Sequence, residues 1–319
     1  MLSNPTSGDE MWVYYWLILV AISSFFFPAN RKVDVKYYAL LLTVSLVSVL
    51  YNRLAPQFPI YVHVFFNVFL GCMAVKVIAE RMTLSVKQIG SVLILVWLVV
   101  YAMLILQSLG FILRGYELSG IYSMPWMMGS AAVLSIPFIR RMKSWYGVIL
   151  ILPIILSHSI ALVLIALVMW VQPKLKWKHI LIVISLAASY MLWFDRGIDH
   201  ARFAVIKNSI PHIHNWFVGD GIGSWAHRAF VRYNGKDLYY WRWAHNELYQ
   251  MTTEAGVLGA ISVLALIFNM FKRAATEFRY YLFGIVALSM VHPIFHIPRL
   301  IPFLILILAI IVRRKSIES

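Results

Sequence analysis

The chain has 319 residues, of which 61% are hydrophobic and 13% charged, and its formal net charge at pH 7 is +15. This composition excludes a single soluble domain, because the apolar surface exceeds what one core could bury, and it predicts a membrane protein. The basic residues do not indicate nucleic-acid binding, since they occur in short clusters between apolar runs. The single cysteine, Cys72, excludes an internal disulfide and a metal site built from several thiolates.

The apolar runs predict an all-α integral membrane protein with about eleven transmembrane helices. The first run lacks the basic start of a secretory signal, so it is predicted to be an uncleaved span. Residues 1–319 are predicted to form a single polytopic membrane domain. In chain order, the predicted spans are 11–27, 37–50, 60–78, 89–109, 122–139, 145–156, 160–171, 179–194, 246–271, 280–295 and 301–312.

Alternate connections between these runs are rich in Lys and Arg, as cytoplasmic loops of membrane proteins are. The short connections on the opposite side hold only Arg53, Arg114 and Arg299. This asymmetry predicts an amino terminus outside and a carboxyl terminus in the cytoplasm. The basic clusters lie within 31–36, 81–87, 140–143, 174–178, 272–279 and 313–315.

Residues 195–245 form the one long extracytoplasmic loop of this topology. Loops longer than about 12 to 15 residues are uncommon unless they are functional or disordered. Disorder is not indicated, because the loop is rich in Trp, Tyr, Phe and His. We therefore expect a folded cap with short helices over an active site. Its many basic residues either bind an anionic substrate or are translocated charges without a role.

The loop contains the turn sequence Gly219-Asp220-Gly221-Ile222-Gly223. Two alternatives remain open from the sequence: the backbone amides approach an anion, or the glycines form a tight turn. A dinucleotide-binding site is excluded, because the segment does not follow a strand in a βαβ unit.

The last predicted site element is the helix that starts beside His245. His245 and Gly256 are eleven positions apart, close to three turns, so His245, Tyr249, Thr252 and Gly256 are predicted to share one face of that helix. The pairs Ala255/Gly259 and Gly256/Ala260 are small residues four apart, which predicts close approach of another helix. A histidine in this position is either catalytic or simply solvated at the membrane interface.

The segment His245-Asn246, nine residues, then Gly256-Val257-Leu258-Gly259 resembles the motif of the O-antigen ligase and O-antigen polymerase (Wzy-type) family of membrane glycosyltransferases. The upstream residues 201–208 and 219–224 resemble the loop element of that family, in which an Arg precedes a short helix and a glycine-rich turn. The resemblance extends over residues 195–261. The chain departs from the family at 157–159, where Ser-His-Ser replaces a Ser-Arg-Gly-like turn.

The resemblance implies a GT-C-like fold in the bacterial inner (cytoplasmic) membrane. It implies transfer of a saccharide from undecaprenyl diphosphate to a hydroxyl of a saccharide or lipid A–core acceptor on the periplasmic face, without a cofactor or metal. Polymerase and ligase roles in lipopolysaccharide or surface polysaccharide synthesis both fit. His245 is the expected catalytic base. The expected substrate-binding residues are Arg202, Arg228, Arg242, Asn246 and Glu254, and the expected structural glycines are Gly219, Gly221, Gly223, Gly256 and Gly259.

Several alternatives remain open from the sequence. The protein could be a transporter or flippase of lipid-linked oligosaccharide, or a protein O-oligosaccharyltransferase. Glu254 is either functional or a protonated packing carboxyl. His292 and His296 have the spacing of metal ligands but no acidic or Cys partner nearby in sequence. Four loop tryptophans either stack on sugars or form an interfacial belt: Trp216, Trp225, Trp241 and Trp243.

Overall fold

A computed structural model describes most of the predicted spans and parts of the long loop. Within the described residues the chain forms nine α-helices and one short antiparallel hairpin. The helical class is therefore confirmed. The described residues are 22, 36–55, 58–81, 85–110, 125–142, 144–171, 206–207, 209–225, 231–233, 236–238, 244, 246–274, 276–292, 294–296 and 300–318. The helices are α1 Lys36–Tyr51, α2 Phe58–Arg81, α3 Val86–Ser108, α4 Pro125–Ile139, α5 Val148–Leu156, α6 Ile160–Val171, α7 Glu247–Arg273, α8 Thr276–Ser289 and α9 Ile301–Glu318, and the hairpin strands are β1 Val231–Tyr233 and β2 Lys236–Leu238.

These nine helices overlap nine of the predicted apolar runs. The runs 11–27 and 179–194 lie almost wholly outside the described residues. Two helices in the described chain, α3 and α7, are long and apolar enough to cross a membrane. The match follows from chemistry that is local in sequence, since a helix pairs each backbone N–H with the carbonyl four residues earlier.

Helix α3 shows why these segments fold as helices. Ser85 and Gln88 form a capping box, in which the Gln88 N–H donates to Ser85 Oγ at 3.2 Å and the Ser85 N–H donates to Gln88 Oε1 at 2.7 Å. The inward face is apolar and buried, and the Trp97 indole N–H donates to Ser135 Oγ on α4 at 3.1 Å. The outward face is equally apolar, which suits lipid and not water. It consists of Val92, Leu95, Leu98, Val99 and Ile105.

Helix α4 lies at the centre of the bundle. Nearly every residue from Pro125 to Ile139 is buried, and the helix packs on α3, α5 and α6. A Cβ added at Gly129 would lie 2.5 Å from Ser157 Cβ, so α4 closely approaches the turn between α5 and α6. Elsewhere α1 packs on α7, α2 on α9, and α6 on α8.

One end of the bundle, which we call the loop end, gathers the α5–α6 turn, the segment after α8 and the start of α7. The His292 ring stacks on Trp126 with centroids 5.1 Å apart, and its Nε2 lies 3.5 Å from Ser159 Oγ. The Phe295 N–H donates to the Glu247 carboxylate at 2.8 Å. Each contact joins residues that the alternation of basic loops assigns to the outer side.

The opposite end, which we call the basic end, contains two arginines of the predicted cytoplasmic loop 140–143. The Arg140 guanidinium donates to the Met169 carbonyl at 3.1 Å. The Arg141 guanidinium lies 5.9 Å from the centroid of the Phe278 ring. These contacts again join residues that the sequence assigns to one side.

Candidate functional site

The candidate site lies at the loop end, where α1, the loop segment 209–225 and the first part of α7 meet. Its central feature is a break in α7 at Gly256, whose φ of 70° and ψ of −173° are not helical. This backbone conformation is essentially restricted to glycine. The break redirects the Val257 N–H, which donates to the Trp216 carbonyl at 2.8 Å.

The carbonyls that the break releases are paired by other parts of the chain. In a straight helix, the carbonyls of Thr253 and Glu254 would accept from residues 257 and 258. Here the Asp220 N–H donates to the Thr253 carbonyl and the Gly221 N–H donates to the Glu254 carbonyl, both at 3.0 Å. The Ser48 hydroxyl adds a second bond to the Glu254 carbonyl at 2.8 Å. Buried backbone groups are costly when unpaired, so these bonds stabilise the break.

The glycine turn is shaped to fit this break. Gly219, Gly221 and Gly223 have φ values of 79°, 106° and 85°. A Cβ at Gly219 would overlap the Glu254 carbonyl group, so glycine is required there for close approach.

The turn amides also decide between the two alternatives left open by the sequence. The N–H groups of Gly219, Asp220 and Gly221 all donate to backbone carbonyls within the protein. These three amides therefore stabilise the fold of the loop. Their bonds favour a tight turn over an anion-binding site.

The loop before the turn is held by two polar side chains. The Asp220 carboxylate accepts from the backbone N–H of His214 at 3.1 Å and from that of Asn215 at 3.2 Å. The Asn215 side-chain oxygen accepts from the N–H of Phe217 at 2.9 Å and from that of Val218 at 3.1 Å. Such side-chain-to-backbone bonds replace regular secondary structure in a compact loop.

The end of α1 ties this loop to the bundle. Asn52 Nδ2 donates to the Gly219 carbonyl at 3.2 Å and to the Ser48 carbonyl at 2.9 Å. Asn215 Nδ2 donates to the Tyr51 hydroxyl at 3.0 Å. Loop, break and α1 thus form one hydrogen-bonded unit.

The start of α7 is capped and packed. Asn246 is the N-cap residue, and its side-chain oxygen accepts from the Tyr249 N–H at 2.9 Å. The Tyr249 hydroxyl lies 2.7 Å from Ser209 Oγ, and its ring meets that of Trp225 edge to face at 5.7 Å. Asn246 therefore serves the helix in this structure, whereas the sequence assigned it to substrate binding.

The predicted site residues fall into two groups. His245, Arg202, Arg228 and Arg242 lie outside the described residues. The described ones, Asn246, Glu254 and the five glycines, are brought together around the first half of α7 and the turn. Glu254 is 3% exposed, and its carboxylate accepts from Gln250 Nε2 at 3.0 Å.

Two expectations are wrong. Helix α7 does not present one continuous face through Gly256, because the backbone breaks there. The close neighbour of Gly256 is not another helix, since an added Cβ would overlap the Phe217 carbonyl group of the loop, and one at Gly259 would crowd Ala255 of the same helix. The loop contains the short helix Ile210–His212, as expected, and in addition the pairing of Val231–Tyr233 with Lys236–Leu238.

Sequence reasoning missed the contributions of Ser48, Asn52 and Gln250. Ser48 and Asn52 carry no local signal, because their partners lie far away in sequence. Gln250 precedes Glu254 by four residues, and that spacing was an available signal for a side-chain pair. The isolated Gly256 in a helical pattern was likewise an available signal for a kink.

The remaining aromatic and histidine candidates are partly resolved. Trp225 is 3% exposed and serves packing, whereas Trp216 is 44% exposed and both of its alternatives stay open. His292 is buried against Trp126, and the side chain of His296 lies outside the described residues. Among the residues that the structure describes, no group of three or more His, Cys, Asp or Glu side chains could hold a metal ion.

No protein-family model matches the chain, and no curated protein matches it. The functional argument therefore depends on the motif residues of this chain and on their surroundings.

Proposed function

We propose that the chain is a membrane glycosyltransferase of the O-antigen polymerase or ligase type. It would transfer a saccharide from undecaprenyl diphosphate to a hydroxyl of a saccharide or lipid A–core acceptor. One observation carries the proposal: the two motif segments, distant in sequence, contact each other directly. The Asp220 and Gly221 amides bind the Thr253 and Glu254 carbonyls, beside the break at Gly256.

The proposal includes a GT-C-like architecture of about eleven spans in the bacterial inner membrane, with the amino terminus outside and the carboxyl terminus in the cytoplasm. Support comes from the two membrane-length helices α3 and α7 and from the outward apolar faces. On α7 this face consists of Val257, Ile261, Leu264 and Phe268. The loop end would then lie at the periplasmic surface, where a lipid-linked donor presents its diphosphate.

The proposed chemistry is one displacement at the anomeric carbon. The acceptor hydroxyl oxygen forms the new glycosidic bond while the bond from that carbon to the diphosphate oxygen breaks. Undecaprenyl diphosphate leaves with the electron pair, and His245 takes the hydroxyl proton as general base. Arg202, Arg228 and Arg242 would stabilise the charge on the leaving diphosphate, because guanidinium forks match phosphate oxygens.

A transporter or flippase of the same lipid is the rival from a different class, and the broken helix α7 is a feature that transporters share. In this chain, however, the backbone groups released at Gly256 are paired within the protein. Because these groups are paired within the protein, they stabilise its fold, whereas in transporters the corresponding backbone groups bind the transported substrate or ion.

The test is reconstitution in vesicles with lipid-linked donor and acceptor supplied on one side. The proposal expects a new glycosidic product without passage of the donor across the bilayer. Donor crossing without any product would overturn it in favour of the transporter. A glycopeptide product formed only from a protein acceptor would instead identify a protein O-oligosaccharyltransferase.

Arg202→Lys is expected to lower turnover although the charge is kept, because an ammonium cannot reproduce the bidentate contacts of a guanidinium. Transfer rates would be measured at equal amounts of membrane protein. Arg53→Lys is a matched control, since Arg53 is an exposed arginine at the end of α1 and has no assigned role. Full activity of both Arg202→Lys and Arg202→Ala would refute the donor-binding assignment.

Chelators are expected to leave transfer intact, because arginines meet the diphosphate charge and the chain has no Asp-x-Asp pair in a predicted outer loop. The measurement compares rates in EDTA with rates in excess Mg²⁺. Activity that is lost in chelator and restored by a divalent ion would contradict this expectation.

A further inference from the structure

A buried hydrogen-bonded ladder runs along the first half of α7. The Ala244 backbone N–H donates to Gln250 Oε1 at 3.0 Å, and Gln250 Nε2 donates to Glu254 Oε1 at 3.0 Å. Ala244 is 0% exposed, and Gln250 and Glu254 are each 3% exposed. A carboxamide suits the middle position, because it offers an acceptor and a donor at once.

The lower end of the ladder is anchored to the rest of the site. The Glu254 carbonyl accepts from Ser48 Oγ on α1 and from the Gly221 N–H of the turn. Because the carbonyl and carboxylate belong to one residue, the position of Glu254 is set by three separate parts of the chain. Buried networks of this kind hold their members rigidly.

The upper end of the ladder is the backbone N–H of Ala244, the residue before His245 in sequence. On the other side of that histidine, Asn246 is held as the N-cap by the Tyr249 N–H. Both chain neighbours of His245 are therefore fixed by side chains or backbone of α7. A general base needs such support, since a misplacement of about 1 Å costs on the order of 100-fold in rate.

We infer that Gln250, itself held by Glu254, is a positioning residue that fixes the Ala244 peptide and thereby the backbone that carries His245. The inference rests on the proposed function for its catalytic consequence. It also assigns Glu254 to this ladder, in place of the substrate contact expected from the sequence. In this inference both residues act through the backbone of Ala244, beside the base.

The kinetic test is Gln250→Ala, measured for turnover and for donor KM. We expect kcat to fall about 10- to 100-fold with KM nearly unchanged, as for an interaction that matters only in the transition state. Glu254→Gln keeps an acceptor for the Gln250 amide and should lose less than Glu254→Ala. The matched control is Gln107→Ala, because Gln107 is also a buried glutamine but lies on α3. A kcat for Gln250→Ala equal to that of Gln107→Ala would overturn the inference.

A double variant separates positioning from simple destabilisation. Added to His245→Ala, the change Gln250→Ala should lower the residual rate no further, because the base that it positions is already gone. A further 10-fold loss in the double variant, at equal amounts of folded protein, would count against positioning.

Hydrogen exchange at the Ala244 amide tests the ladder without any assay of transfer. Gln250→Ala should speed exchange of this amide at least 10-fold, whereas Gln107→Ala should not change it. Unchanged exchange in Gln250→Ala would overturn the inference whatever the enzyme does. If Gln250→Ala speeds exchange as expected but the wild-type protein transfers no saccharide, the ladder is retained and the proposed function is rejected, so the two failures are distinguishable.

Discussion

His245→Ala is expected to lower the transfer rate by about two to four orders of magnitude, the range usual for loss of a general base. The amount of folded protein should not change. The N-cap of α7 is Asn246 and the helix begins at Glu247, so the substitution removes neither the cap nor a helical residue. The donor should bind with near-normal affinity, because the arginines are expected to hold the diphosphate.

Transfer kinetics and donor binding would be measured on purified protein. The amount of each variant in the membrane would be compared with that of the wild type. His214→Ala is a suitable control, because the His214 side chain is 75% exposed and the substitution retains the hydrogen bond from the backbone N–H of residue 214 to the Asp220 carboxylate. The catalytic assignment should be abandoned if His245→Ala complements a deletion strain fully. It should equally be abandoned if the variant fails only because the protein disappears from the membrane.

Gly256→Ala is expected to reduce the yield of folded protein sharply, and Gly256→Leu more so. Alanine at φ 70° and ψ −173° would be strained by about 1 to 3 kcal/mol. Its Cβ would also overlap the Phe217 carbonyl group, and such overpacking costs typically about 1 to 3 kcal/mol. Together these costs are a large fraction of the stability of an ordinary domain, about 5 to 15 kcal/mol.

Substitutions at two other glycines separate the cost of backbone strain from the cost of steric overlap. Gly110 has a φ of 79° but nothing within 4 Å of an added Cβ, so Gly110→Ala incurs strain without overlap. Gly71 lies within α2 with nothing within 4 Å, so Gly71→Ala should be neutral or slightly stabilising. Extraction yield and Tm should fall in the order Gly71→Ala, Gly110→Ala, Gly256→Ala. If Gly256→Ala were no worse than Gly110→Ala, the loop contact would contribute nothing to folding.

The candidate site was only partly predictable from sequence. The motif residues from His245 to Gly259 and the turn from Gly219 to Gly223 could be singled out, because residue type and spacing are visible in the chain. The part played by Glu254 was predictable only for its contact with Gln250, four residues earlier, because its other partners, Ser48 and the turn, lie far away in sequence. Whether a polar residue binds substrate or a neighbour depends on what packs against it.

The sequence by itself determined where the helices form. Helix α6 has the bounds of the apolar run 160–171, and α3 starts at a capping box whose two residues are three apart. Both features depend on interactions within one turn of helix and on apolar runs of suitable length, so they can be recognised from the sequence alone. Only the tertiary structure decided that α7 breaks at Gly256. The bonds that stabilise the break come from the loop turn and from Ser48, which lies 206 positions from Glu254, and a helix loses its own hydrogen bonds only where such distant partners replace them.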